Sequence, residues 1–393
     1  MKTLSLALAL LPLSIGLAHA AGGPLLAPGV RDQVAPAVVS APAPGGNVER
    51  APVQFSWAID PFESLATPAP HVAQSREYWQ TVDAAELQRG VPVTTSAPGA
   101  LIRVSPSRNA RAVDASKIRV LGGGREVALE RRTSAAQLQA ANMPVTDGTA
   151  AVQLASTQRA GAYAVQVADA QGEYVVHVFE PQSSVRLSIA LGRDRAHAGG
   201  RSNVAVSLYD GATRMSGLRA SGLLVAPDGQ NWPLKLSLNS AGMLEGDVPV
   251  PATAQSGAGL WEVQVLASDA NGLQRDGRTA FAVSRPTARL TGDYAFDMRQ
   301  LRFDLPVQAG AGGRYEARGT LYATGSNGVV RPVAVAHSAA WFAPGTRSLA
   351  LTFDRAHVPA GFGAPFELRD LELNDQSRNA PLERRARAIA GLR

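Results

Sequence analysis

The stretch GAYAVQVADAQG (residues 161–172) is written again, slightly lengthened, as GLWEVQVLASDANG (residues 259–272), with starting glycines 98 positions apart. In the first copy Tyr163, Val165 and Val167 alternate with small or polar residues, which is the period of a half-buried strand. Asp169-Ala-Gln-Gly172 then supplies turn residues, and YVVHVF (residues 174–179) returns. In the second copy Trp261, Val263 and Val265 alternate, Asp269-Ala-Asn-Gly272 turns, and RTAFAV (residues 278–283) comes back. Both phrases are expected to be β-hairpins. Each ends at a proline joint, Glu180-Pro181 and Arg285-Pro286, so each is expected to close a unit of about 100 residues, the size of an immunoglobulin-like sandwich.

Working outward, further period-two segments precede the second copy: SVRLSIAL (184–191), SNVAVSLYDG (202–211), SGLLVAPDGQNW (221–232) and PLKLSLN (233–239). Upstream of the first copy lie ALIRVSP (100–106), SKIRVLG (116–122) and two helical signatures. DAAELQRG has a capping-box spacing, Asp83 to Glu86, and a stop at Gly90. SAAQLQAANM opens at Ser134 and ends before Pro144. The fold class is therefore mostly β: three tandem Ig-like β-sandwiches, with one or two short helices in the first. The expected boundaries are 63–183 for an α+β first domain, 184–285 for the second and 286–393 for the third. The third repeats the hairpin phrase at Gly313-Arg-Tyr315, only 54 residues after Gly259, so a different strand order is expected there.

The start, MKTLSLALALLPLSIGLAHA, has the parts of a secretory signal. Lys2 is the positive end, residues 4–17 form an apolar run too short to span a bilayer, and Ala18-His19-Ala20 is a small-x-small cleavage site. Cleavage after Ala20 and a periplasmic or secreted location are expected. Residues 21–62, rich in Pro, Ala, Gly and Val, read as a flexible lead-in held at its end by Phe55 and Trp57. No other stretch approaches 18 apolar residues, so no transmembrane segment is expected.

The chain has no cysteine, which excludes disulfides, thiolate chemistry and cysteine-ligated zinc. Of its 38 basic residues only Lys2, Lys117 and Lys235 are lysines. Arginine therefore carries the charge, diffusely, and no basic–aromatic cluster points to nucleic acid. The densest run, Arg384, Arg385, Arg387 and Arg393, reads as a solvated terminus.

The phrases SREYWQTVDAAELQRGVPVTTSAPGALIRVSP (75–106) and GLWEVQV…GRTAFAVSRPTARL (259–290) are followed by GRYEARGTLYATGSNG…VAVAHSAAWFAPGTRSLALTFD…GAPFELRDLELND (313–375). Together, in that order, they resemble an uncharacterised family of exported bacterial proteins with tandem Ig-like domains. The last of them also resembles β-sandwich modules of exported hydrolases and cell-surface proteins. The resemblance implies a domain plan and supplies no catalytic residue.

Motifs for chemistry are missing. No HExxH, GxSxG, GxxxxGK[ST] or strand-led GxGxxG occurs. Asp269, Asn271 and Asp276 offer oxygen ligands at short spacing, so calcium is the one cofactor considered. The EF-hand pattern nevertheless fails, and Asp-x-Asn-Gly is equally a turn signature. Tyr78 and Trp79 are the candidate ligand-binding pair, set in an expected irregular region, because an exposed ring suits a sugar face. No catalytic residue is assigned. The reading is a non-catalytic exported binding or structural protein whose loops meet an unknown protein or glycan partner. The alternative is a secreted hydrolase or protease-associated accessory protein with a dispersed site. Oligomeric state is left open.

Overall fold

A computed structural model describes residues 21–63, 65, 71–254 and 259–393. The expected signal and its cleavage point lie outside the described residues. Among the described residues the chain is mostly β, with two short α-helices, and forms tandem β-sandwiches. Its described residues divide into two compact units, those between 66 and 285 and those from 21 to 65 together with 286–393.

The unit of residues 66–285 holds two separate cores. The first gathers Tyr78, Ile102, Ile118, Val152, Val165 and Tyr174; the second gathers Leu187, Val204, Leu224, Trp261, Val263 and Phe281. The two copies of the repeated phrase thus serve different cores. Both expected helices form, Ala84–Arg89 and Ala135–Ala140, each opened by a complete capping box at Asp83 and Ser134.

The copies differ in one respect that the alternation does not announce. In the second, Trp261–Ser268 pairs antiparallel with Gln274–Ser284, a true hairpin. In the first, Gly161–Val167 pairs with Val91–Thr95 and Ile118–Gly122, while Glu173–Phe179 pairs with Glu77–Asp83 and Leu101–Pro106. The expected first hairpin is therefore corrected to an arch that crosses from one sheet to another. Hydrogen bonds at the turns explain the difference. Asp269 N–H donates to the Leu273 carbonyl at 3.0 Å, and the Asp269 carboxylate accepts from the Leu273 N–H at 2.9 Å, which closes the second turn on itself. After the first turn the backbone is taken up by another segment. Glu173 N–H donates to Arg108 O, Ser107 N–H to Glu173 O and Arg111 N–H to Gln171 O, all within 2.8–3.0 Å.

The strand Val72–Ser75, which the expected boundary assigns to the first domain, pairs with residues 187–190 in a sheet of the second sandwich. A few residues on, Glu77–Asp83 belongs to the first sandwich and meets the second at one register pair, Asp276 opposite Glu77.

In the other unit, one sheet contains the strands Val53–Ala58, Val330–Phe342, Gly313–Gly325, Phe362–Asp375 and Ala380–Leu392 in that order. The facing sheet contains Ala21–Pro24, Asp293–Asp297, Arg302–Ala309 and Ala288–Leu290, with Gly345–Thr352 also on Arg302–Ala309. Phe303, Leu305, Tyr315, Leu321, Leu349, Phe353 and Leu368 fill the space between.

The expected flexible lead-in is corrected here, since residues 21–62 supply an edge strand to each sheet. An extended Pro/Ala-rich chain has carbonyls with no partners of its own, and arginines from the folded part satisfy them. Arg385 donates to Leu26 O, Arg289 to Pro36 O, Arg378 to Pro42 O, and Arg314 to both Glu49 O and Ala51 O, at 2.6–3.0 Å. Three of the four terminal arginines are not in a solvated tail: Ala380–Leu392 is a strand in which Arg385 is buried and Arg387 pairs with Glu367 at 2.5 Å, while Arg393, past its end, is exposed.

Candidate functional site

The two residues of the expected surface pair are neighbours on a regular strand, Glu77–Asp83, and therefore point to opposite faces. Tyr78 is a core residue, 1% exposed, whose hydroxyl donates to Thr94 O at 3.1 Å and accepts from Thr94 N–H at 2.9 Å. Burial pushes its phenol well above the ordinary tyrosine range. It cannot offer a surface ring. Trp79 is half-buried, opposite His177 in the ladder, and its backbone N–H donates to the Asp276 carboxylate at 2.9 Å.

The calcium trio does not gather. Asp269 spends one carboxylate oxygen on the N–H groups of Asn271 and Leu273, at 2.8 and 2.9 Å, as a turn requires. Asp276 is buried elsewhere, against Trp79. No group of three or more His, Cys, Asp or Glu side chains able to hold a metal occurs among the described residues.

Asp276 is nevertheless informative. Burial raises its pKa to about 6, against the Trp79 N–H bond that lowers it, and the Glu77 charge adds to the rise. Glu77 is held below the usual range, chiefly by its 2.9 Å contact with His177. The protonated form of Asp276 is favoured in the fold, so its stabilising contribution is full below about pH 4 and is lost as pH rises through about 6. Asp276→Asn keeps an acceptor for Trp79 N–H without the charge. It is expected to stabilise the protein at pH 7.5 by up to about 3 kcal/mol and to do little at pH 4. Thermal melts at the two pH values check this, and an equal gain at both would refute it.

A group of exposed apolar side chains lies on the edge strand Val53–Ala58. Val53, Phe55 and Trp57 share one face by strand alternation and are 40%, 50% and 40% exposed. In register with Phe55 stands His337. The Phe55, Trp57 and His337 rings lie 5.1–5.7 Å apart, centroid to centroid, with planes within 6–25° of parallel. Three mutual separations of this size cannot belong to a column, in which the outer pair would be twice as far apart. The rings form an offset cluster instead. Glu316 fixes the imidazole through Nδ1 at 2.6 Å. On the same strand face Trp341 carries the Arg50 guanidinium 4.4 Å above its ring. Further along, Phe62, 75% exposed, has Arg331 at 6.0 Å.

Phe55 and Trp57 were legible as residues that tie the lead-in down, but not as an exposed cluster. The Val-x-Phe-x-Trp spacing was the available signal. An open groove of about 640 Å³ in the second sandwich, lined by Arg201, Asn203, Lys235, Glu245 and Asp247, mixes both charges, and Arg201 and Asp247 pair with each other at 3.3 Å.

Two family profiles match the sequence. One is the N-terminal domain of DUF4785, a domain of unknown function, over residues 44–180; the other is the C-terminal domain of DUF4785, over residues 287–393. Among solved structures the chain is similar to a DUF4785 family protein from Legionella pneumophila, with a TM-score of 0.68 and 20% identity. That match covers 91% of this chain and 98% of the other and concerns the fold alone. An E. coli alpha-2-macroglobulin in its native conformation gives a TM-score of 0.29 at 14% identity, over 74% of this chain and 20% of its own. The Yersinia pseudotuberculosis adhesin InvE gives 0.19 at 10%, over 52% and 58%. No curated protein matches the sequence.

Proposed function

We propose, from the premise that the chain belongs to the DUF4785 family, that it is a non-catalytic exported protein presenting a rigid β surface to an envelope or extracellular partner. The observation that carries this reading is the exposed pair Phe55 and Trp57, stacked with the largely buried His337 ring. Large apolar rings left in water lose the stabilisation that burial gives, and contiguous exposed patches of them mark interaction sites. The support beneath is stiff: the edge strand is paired along its whole length with residues 334–339, and Arg314 anchors the preceding turn. Export is supported by the charge, apolar run and cleavage pattern of residues 1–20. Among the described residues no helix is long and apolar enough to cross a membrane.

The test is co-sedimentation with washed cell-envelope fragments. The wild-type protein is expected to sediment with them, and the Phe55→Ala/Trp57→Ala double variant to lose at least about tenfold in retention at an unchanged melting temperature. Equal retention of the two proteins would sink the reading.

A further inference from the structure

The same cluster allows its ligand class to be named, an inference that rests on the binding reading above. We propose that the Phe55–Trp57–His337 platform binds an anionic polysaccharide, with sugar rings on the aromatic faces and carboxylates on the surrounding arginines. The rings argue for a sugar because Phe55 and Trp57 face solvent, lie nearly parallel, and are backed by the largely buried His337 ring, which Glu316 holds in place. An apolar face with a polar edge is what a pyranose presents to such a surface. Phe55 and Trp57 stand on an edge strand and are open to solvent, which suits a chain passing over them.

The arginines argue for negative charge. Arg318 is the register partner of His337 on the side away from Phe55 and is exposed; it makes no hydrogen bond or ion pair among the described residues, although Glu372 stands opposite it on the next strand and its charge acts on the Asp370 carboxyl. Arg50 lies on Trp341 and Arg331 near Phe62, and neither has a carboxylate partner among the described residues. A guanidinium near a ring still carries a planar fork of N–H donors, which a carboxylate can accept two at a time. The acidic groups nearby are engaged. Glu316 holds His337, Glu49 accepts from Ala51 N–H at 2.6 Å, and Asp60 from Phe62 N–H at 2.8 Å. Aromatic faces bordered by Arg50 and Arg331, which have no carboxylate partner among the described residues, and by the exposed Arg318 complement a polymer that alternates apolar ring faces with carboxylates.

The experiment is titration calorimetry of the full chain with polygalacturonate, with neutral dextran and with vesicles containing anionic phospholipid. Polygalacturonate is expected to bind and dextran to bind at least about tenfold more weakly. Affinity should fall about tenfold in Trp57→Ala, several-fold in Arg318→Ala, and with added salt. Trp57→Tyr, which restores a flat ring, is expected to recover most of the loss and to separate loss of stacking from misfolding. Equal binding of dextran would overturn the charge requirement. Binding of vesicles alone, or of none of the three probes while envelope co-sedimentation still depends on Phe55 and Trp57, would overturn the glycan assignment and leave the binding reading standing.

Discussion

Replacing Arg275 with methionine is expected to destabilise the unit of residues 66–285 by about 3–5 kcal/mol. Arg275 and Glu180 are both 0% exposed and meet at 2.5 Å. Every polar atom of the pair is used. Glu180 accepts from the backbone N–H groups of Ser96 and Ala97 at 2.6 and 2.9 Å and from the Ser96 hydroxyl at 3.1 Å. Arg275 donates to the hydroxyls of Ser96 and Ser183 at 2.7 and 3.0 Å and to the carbonyls of Val185 and Gln274 at 3.2 and 2.8 Å. Loss of the guanidinium leaves a carboxylate in a low-dielectric site with no water to replace it, and that is what makes breaking such a pair expensive. Arg275→Lys should rescue little, because a point charge cannot reach five acceptors arranged for a planar fork. Removing both partners, as Arg275→Met/Glu180→Leu, should cost much less than the two single changes added together.

The location of the pair gives this prediction its meaning. Glu180 follows the last strand of the first sandwich, Ser183 and Val185 begin the second, and Arg275 lies in the second's closing hairpin. Two cores that might otherwise turn about a proline joint are locked through one buried network. The wild-type unit should therefore melt in one cooperative step, and Arg275→Met in two. Calorimetry distinguishes these outcomes, and a single transition lowered by less than about 1 kcal/mol would refute the assignment.

How far the sequence could be read follows from which physical terms are local. Alternation in Tyr163/Val165/Val167 and Trp261/Val263/Val265 is local, and it identified the strands and the faces they bury. Capping at Asp83 and Ser134 is local too, and both helices start where those residues stand. Partners are not local. The arginines that hold the lead-in stand more than 250 residues from the carbonyls they satisfy, and nothing in a Pro/Ala-rich string foretells them. Tyr78 and Trp79 looked alike as adjacent rings, but the strand turns one into the core and leaves the other half-exposed. For the edge strand, alternation shows that Phe55 and Trp57 share a face. Whether another layer covers that face depends on the rest of the chain.

The two turns that end the repeated phrases give the sharpest local contrast, and Gly172→Ala and Gly272→Ala should separate them. Both glycines have positive φ, +86° and +81°, so alanine at either is strained by about 1 kcal/mol in the left-handed region. At Gly272 a methyl group meets nothing within 4 Å, and that strain should be the whole cost. At Gly172 the same methyl would lie 2.3 Å from Asn109 O and 2.7 Å from Ala110 Cα. Backbone cannot swing aside as a side-chain tip does, and this backbone is tied on both sides, through Glu173 N–H to Arg108 O and Arg111 N–H to Gln171 O. Gly172→Ala is therefore expected to cost about 3 kcal/mol or more, measured by denaturant unfolding. Equal costs at the two sites would mean that the first phrase closes on itself as the second does, and the sheet-crossing arch would have to be given up. A large difference would show that one apolar rhythm serves two topologies, with the choice made by the segment that packs against the turn.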